Sequence, residues 1–474
     1  MHSELANSIV VVGGGLAGLV SALLIAERGD GGPVYLVERT TELGGLLRSY
    51  DEGPFGRFDH GMHTFTSSGI ADLDTFMRDL MPEDDWIVME GRYRDLSGVV
   101  FGGRLQFDTH YPDLRSLPKS DFQACAADLL VALGRPAPTD HASLAAFLHN
   151  RFGDAIARGI FEPIVQKVYG VQASLLDPIV ARIVPLDRVA LYELAGFYDL
   201  MKSERIRATI AFPDQRDLPL SFAATRHSLY PKRFGAFRLP AALEGRLRDA
   251  GVRIVTNAAV ATVAHENGNI CRLELDTVGK RIALPHPRQV VWTAGYPGLG
   301  RLLGLQSTNT KFEQNRIPAV MNLLLDRPLE VRDLYYFWCW EPALRAYRIT
   351  NYVNYCPDAP RAGGFPVCLE FALRPEDATD EDALQSLAVR ELSACGVFPK
   401  DARVLHSVGG VLPVGFPTFS LRNKALLMAI KDELAGLELS NLSVTGLMAD
   451  WGIVYQPDVL THAYATVHAY LERR

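Results

Sequence analysis

SIVVVGGGLAGLVSALLIAERGDGGPVYLVER, residues 8–39, places three consecutive glycines directly after a β-branched run, and the apolar pattern changes period once they pass. Ile9 to Val12 is wholly apolar, as suits a parallel strand buried on both faces. Gly13, Gly15 and Gly18 then match G-x-G-x-x-G. From Leu16 onward, Leu19, Leu23 and Ile25 with Ala17, Ala22 and Ala26 give a helical pattern that ends near Arg28 and Gly29. Val34 to Val37 supplies a second strand, and Glu38 ends it about 20 residues beyond the last glycine, the spacing of an acid that accepts hydrogen bonds from a ribose. Each glycine has its own task. Gly13 permits the tight turn, Gly15 lets the backbone approach a pyrophosphate, and Gly18 allows close packing of helix on strand, while the helix N-terminus offers free N–H groups to phosphate. Strand, glycines, helix, second strand and acid in this order define a dinucleotide site.

Composition bounds the rest. The chain has 474 residues, 48% of them apolar, with charges of both signs interspersed, which is enough for two or three domain-sized cores. A formal charge of −7 gives no overall basic field, so nucleic acid is not an expected partner. Local basic groups remain as candidate anion sites, notably Arg345 with Arg348 and the stretch Arg226 to Arg238. Six scattered cysteines show no C-x-x-C pair and no Cys/His cluster at zinc spacing, so they read as reduced core thiols and no metal is expected. MHSELANS lacks a secretory pattern and no apolar run approaches the ~18 residues of a membrane span, so the expected location is cytoplasmic.

The residues after Glu38 specify the dinucleotide. RTTELGGLLRSY carries Gly44, Gly45 and Arg48, and GRFDHGMHTF follows from Gly56 to Phe65. Here the sequence resembles the two-dinucleotide-domain flavoproteins that include amine oxidases, protoporphyrinogen oxidase, phytoene desaturases and UDP-galactopyranose mutase. Tyr230 to Ile270 (YPKRFGAFRLPAALEGRLRDAGVRIVTNAAVATVAHENGNI), the strand Gln289 to Ala294 with its Gly295-Tyr296-Pro297 turn, and the closing NLSVTGLMADWGIVYQPDVLTHAYATVHAYL resemble further blocks of that family. The resemblance implies an α/β protein: a doubly wound, glutathione-reductase-type Rossmann domain for FAD, assembled from residues 1–70, 225–300 and 425–474. Residues 71–224 would form a mainly helical cap and 301–424 a substrate-domain sheet. It further implies that FAD is held by Gly13, Gly15, Leu16, Ala17, Gly18, Glu38, Arg39, Gly45, Leu46, Met62, His63, Val260, Gly446, Asp458 and Val459.

Coarse patterning fits this plan. Phe122 to Leu133, Ser143 to Arg151 after an N-cap at Thr139 or Asp140, Ala155 to Val168, and Val189 to Met201 read as helices. Arg316 to Val414 reads as strands.

Three stretches resemble the UDP-galactopyranose mutase branch: FDHGMHTF, RYRDLSGVVFGGRLQFDTHYP and FEPIVQKVYGVQASLLDP. That branch implies a redox-neutral ring rearrangement of a nucleoside diphosphate sugar by reduced FAD, with NAD(P)H as a candidate reductant. His63 and Arg348 would then be catalytic. Arg104, Tyr169, Tyr335, Tyr336, Trp338, Arg345, Arg348, Tyr352 and Tyr455 would meet the substrate, the cations on its phosphates and the aromatics along base and sugar. One departure weakens this branch: Gly446 is followed by Leu447 where mutases carry an arginine. The alternatives are an amine oxidase-like or protoporphyrinogen oxidase-like oxidoreductase, taking a hydride from an apolar or amine substrate, and a non-catalytic binding subunit. A homo-oligomer is compatible with every reading.

Overall fold

The computed structural model describes residues 7–29, 32–136, 138, 140–193, 197–222, 227–377, 380–412 and 418–473. The opening stretch forms strand β1 (Ile9–Val12), helix α1 (Leu16–Arg28) and strand β2 (Val34–Val37). All four residues of β1 are buried, because parallel neighbours flank it on both sides: β2 and the strand Gln289–Trp292. Arg253–Val255 and Leu442–Val444 pair in parallel at the two edges, so five short strands drawn from distant parts of the chain make one sheet. On one face, α1 buries Leu19 and Leu23 against the helices Arg238–Asp249 and Gln456–Glu472. On the other, the antiparallel strands Ala258–Glu266, Asn269–Thr277 and Lys280–Pro285 bring Val263 and Leu273 onto Val10 and Val290.

A second sheet of seven strands runs in the order Val404–Val411, Ile317–Leu325, Phe365–Leu373, Ala346–Asn351, Tyr336–Cys339, Ser97–Phe101, Arg104–Gln106. Its last two strands come from the segment read as mainly helical, and Ser97–Phe101 pairs in parallel with Tyr336–Cys339. Strand alternation sorts its side chains by face. Phe337, Ile349 and Leu369 pack under the helix Glu381–Ala394, whereas Trp338, Arg348 and Glu370 take the opposite face.

Two helix expectations change. The helix read from Ser143 spans Leu144–Phe152 and is capped by Ser143 itself, whose Oγ accepts from Ala146 N at 3.3 Å. Asp140 instead accepts from His141 N, and Thr139 lies outside the described residues. Val189–Met201 is not one helix: Val189 bridges Ile210 and Ala190 bridges Asp113, so tertiary pairing overrides helical propensity there. Only Phe197–Leu200 is helical, and residues 194–196 lie outside the described set. The segment Ala155–Val168 is helical throughout, through a π turn at Ala157–Phe161. All six cysteines are free thiols, five of them buried. No described helix is long and apolar enough to cross a membrane.

Candidate functional site

Main chain builds the first half of the site. Gly13, at φ +108°, turns the chain out of β1, and a Cβ there would meet Thr293 Oγ1 at 2.4 Å. At Gly18 an added Cβ would stand 1.8 Å from the Gly13 carbonyl oxygen, so helix and turn touch backbone to backbone. Gly15 is different: a Cβ there would meet nothing within 4 Å. It caps α1 with no side-chain bond, and the first turn carries no acid, so the leading N–H groups have no side-chain cap. Gly45 closes over this point, its own Cβ position lying 3.1 Å from Gly15 Cα, while Gly44 N donates to Gly14 O at 2.8 Å. Glu38 accepts from Gly14 N (2.7 Å) and from Thr40 N and Oγ1 (2.8 Å each), which fixes its carboxylate beside the turn. Gly446, at φ +90°, approaches Ala17 and the Thr293 carbonyl. These observations place Leu16, Ala17, Gly44, Gly45 and Gly446 around one cradle.

Other candidate cofactor residues sit farther out. Arg39 and Leu46 are exposed. Val260 is half-buried in the strand Ala258–Glu266, and Val459 is half-buried in the first turns of the helix Gln456–Glu472. Asp458 caps that helix by accepting from Tyr455 N (3.0 Å), and it also receives Arg182 at 2.7 and 2.9 Å.

The FDHGMHTF segment joins the two sheets. Asp59 is fully buried, and it accepts from Tyr230 Oη (2.8 Å) and Ala236 N (3.0 Å). Its own carbonyl receives Asn322 Nδ2 from the second sheet at 3.1 Å. Burial pushes the Asp59 carboxyl up to about 6, against the pull of its two donors. Three residues on, Met62 N donates to Glu370 (3.3 Å) and Arg348 reaches the Met62 carbonyl (3.5 Å). His63 is half-buried with its Nε2 shielded and unpartnered, and desolvation first, then the Arg348 charge, hold its pKa below the usual range against the pull of Glu370.

Arg348 and Glu370 are cross-strand neighbours and form a two-pronged ion pair, both contacts 2.7 Å. Tyr347 Oη donates a further bond to Glu370 at 3.0 Å. Burial alone would push the Glu370 carboxyl up, but the guanidinium outweighs it and holds the acid below its usual range. The Glu370 carboxylate in turn holds Arg348 above its usual range in spite of its burial.

Beyond this pair lies a cavity of about 610 Å³ between the sheet and the helical layer, lined by Tyr169, Tyr336, Trp338, Tyr347, Arg348 and Tyr455 among others. Its aromatics form a ladder. Trp338 lies 6.2 Å from both Tyr336 and Tyr347 and stacks on Trp340 at 5.1 Å, with the Arg348 guanidinium 5.5 Å above its ring. Asp95, His110, Tyr111 and Asp187 stand along the wall as well, and Arg182 and Arg316 are its other arginines among the described residues.

The cavity thus gathers Tyr169, Tyr336, Trp338, Arg348 and Tyr455 from the candidate substrate residues and leaves four elsewhere. Arg104 is exposed in the edge hairpin. Tyr335 is turned to the Tyr93 carbonyl (2.8 Å), Tyr352 is buried on the Gly61 carbonyl (3.2 Å), and Arg345 pairs with Asp377 (3.0 Å). Of the stretch Arg226 to Arg238, Arg226 lies outside the described residues, while Arg238 bonds the Arg233 carbonyl at 3.1 Å. Glu370 went unread in the sequence, although an acid inside the apolar strand FPVCLEFAL needs a buried partner and so signals one.

A profile of NAD(P)-binding Rossmann-like domains matches residues 11–80. No curated protein sequence matches the chain. Among solved structures, reduced UDP-galactopyranose mutase superposes with a TM-score of 0.77 at 16% identity, over 99% of this chain and 96% of that one. A provisionally assigned protoporphyrinogen oxidase from an Exiguobacterium species gives 0.71 at 17% identity, over 99% of both chains. Cyclohexylamine oxidase from Brevibacterium oxydans gives 0.57 at 13%, over 99% of both. The motif resemblance thus extends to the fold of the whole chain, the architecture common to these mutase and oxidase structures.

Proposed function

We propose that this chain is an FAD-dependent oxidoreductase acting on a small organic molecule that lies along Tyr336, Trp338 and Tyr347. The observation that carries the reading is the state of the arginines beside the aromatic wall: Arg348 is committed to Glu370 and Arg182 to Asp458, both at 2.7 Å, which leaves Arg316, held by main-chain carbonyls, as the pocket arginine without an acid among the described residues. A diphosphate needs unspent cations, whereas an apolar or amine substrate needs an aromatic wall with few polar groups.

The cradle fits FAD. The open space at Gly15, the uncapped N-terminus of α1 and the Glu38 carboxylate suit a pyrophosphate and a ribose, and the unpartnered His63 Nε2 suits a polar edge of the ring system. Bound FAD supplies hydride acceptance. The chain's own residues position and exclude. The Arg348–Glu370 pair locks Tyr347 and the Met62 main chain, His63 stays neutral as a hydrogen-bonding group, and Tyr455, anchored on the Arg182 carbonyl at 2.5 Å, closes the pocket beside the helix cap.

A second reading, ring rearrangement of a nucleoside diphosphate sugar by reduced FAD with NAD(P)H as reductant, is supported by the whole-chain likeness to the mutase. One experiment separates the two. Purified protein should carry flavin, and a panel of primary and secondary amines and apolar C–H donors should bleach it anaerobically and yield hydrogen peroxide in air. Dithionite-reduced protein should leave UDP-galactopyranose unchanged. Ring isomerisation without net oxidation would hand the site to the mutase reading, and protein that takes up no added FAD would overturn both.

A further inference from the structure

A smaller cleft of about 300 Å³ lies on the far side of Arg316 from the aromatic pocket, and Arg316 and Ala372 line both cavities. Lys167, Arg316, Arg345 and Arg374 converge on it. Acids answer only part of this charge. Arg345 and Arg374 share Asp377, at 3.0 and 2.7 Å, and Glu376 lies 3.4 Å from Arg374. Glu391, behind the cleft, spends its carboxylate on the N–H groups of Arg345 and Ala346.

The other two cations rest on main-chain oxygens. The Arg316 guanidinium donates to the carbonyls of Gln166 (2.9 Å), Lys167 (3.0 Å) and Asn315 (3.3 Å), and Lys167 Nζ donates to those of Cys339 (2.6 Å) and Glu341 (3.0 Å). Hydrogen bonds orient these charges without cancelling them; what distinguishes the cleft is that its described lining carries four cations and no carboxylate, with Glu391 and Glu341 acting on Lys167 from behind it. Burial first, then the neighbouring Arg374 and Arg345 charges, hold Arg316 below its usual range against the opposing pull of Glu376 and Asp377.

We propose that this cleft binds a carboxylate or phosphate group, and that this group terminates the molecule whose apolar body lies against Trp338. The second part rests on the catalytic reading above; the anion site does not. The substrate class that follows is an elongated acid or phosphate ester with an apolar or aromatic body.

The test uses the flavin-loaded protein and equilibrium calorimetry at constant ionic strength, with chloride as the balancing anion. Inorganic phosphate should bind saturably, and Arg374→Gln should weaken it about tenfold or more. Arg403→Gln, an exposed change on the distant Val404–Val411 side of the sheet, should leave it unaltered. Absence of saturable binding, or equal affinity in wild type and Arg374→Gln, overturns the site. Octyl phosphate, which joins the same anion to an apolar tail, should bind about tenfold tighter than phosphate, with the gain lost in Trp338→Leu. Equal affinities for the two probes would leave a free-anion site and overturn the link to the pocket. Both readouts are independent of turnover, so a failure of the oxidoreductase reading is seen separately.

Discussion

The cradle around Gly15 and the pocket around Trp338 are held together by different parts of the polypeptide. In the cradle the main chain does the shaping: Gly18 on the Gly13 carbonyl and Gly13 beside Thr293 make approaches that a Cβ would forbid, Gly45 sits tightly on Gly15, and α1 presents N–H groups that need no side chain. In the pocket, side chains from strands far apart in sequence meet across a sheet, and one buried ion pair, Arg348 with Glu370, ties the sheet to the Met62 backbone. A main-chain site is written in a local pattern. A side-chain site depends on which strands become neighbours.

Three experiments probe that contrast. The largest effect should come from the pocket. Arg348→Met leaves Glu370 buried without its counter-charge and should cost about 3–5 kcal/mol in urea unfolding, while the paired Arg348→Met/Glu370→Met change should recover most of it. Full stability in the single variant would show that the pair does not hold the pocket.

The joint between the regions should report through pH. Asp59 is raised in the folded protein to about 6 from 3.8, so the native state binds this proton more tightly than the unfolded chain. Its contribution is fully present below pH 4 and is lost as pH rises through 6, a swing of about 3 kcal/mol. His60, lowered to about 4 by burial and the charge of Arg48, contributes in the opposite sense, losing stability as pH falls. The Asp59 effect is therefore read as the difference between wild type and Asp59→Asn across this range. Parallel stability curves for the two proteins would contradict the assignment.

The cradle should respond least in stability but most in cofactor content. Gly18→Ala forces a methyl against the Gly13 carbonyl, 1.8 Å away before relaxation, at a cost of about 1–3 kcal/mol. The ratio of flavin to protein absorbance should drop sharply. A variant that keeps stoichiometric flavin and an unchanged melting temperature would remove Gly18 from the cradle.

The two regions differ in the same way in how far they could be read. β1, α1, β2 and Glu38 fell where the opening stretch put them, because burial on both faces, helical periodicity and positive-φ glycines are local properties. The strand-rich character of Arg316 to Val414 was legible in part: Ile317–Leu325, Tyr336–Cys339, Ala346–Asn351, Phe365–Leu373 and Val404–Val411 are strands, but the helix Glu381–Ala394 interrupts the span read as strands, whereas the aromatic crowding at Tyr335 to Tyr355 was plain. Which of those aromatics face the cavity was not. Strand alternation separates Tyr336 and Trp338 from Phe337, but whether a face looks onto a cavity or a covering helix is settled by the helix Glu381–Ala394. Arg345 and Arg348 are three residues apart, and the register shift between Ala346 and Arg348 helps send one to Asp377 and the other to Glu370.

The sequence by itself therefore determined the dinucleotide cradle and the class of fold, since both follow from short-range steric and burial rules. Tertiary structure alone decided the chemistry above the cradle. It paired Arg348 with Glu370, turned Tyr335 and Tyr352 away, and set Arg316 between two cavities, because the partner of a buried charge is chosen by sheet order and register.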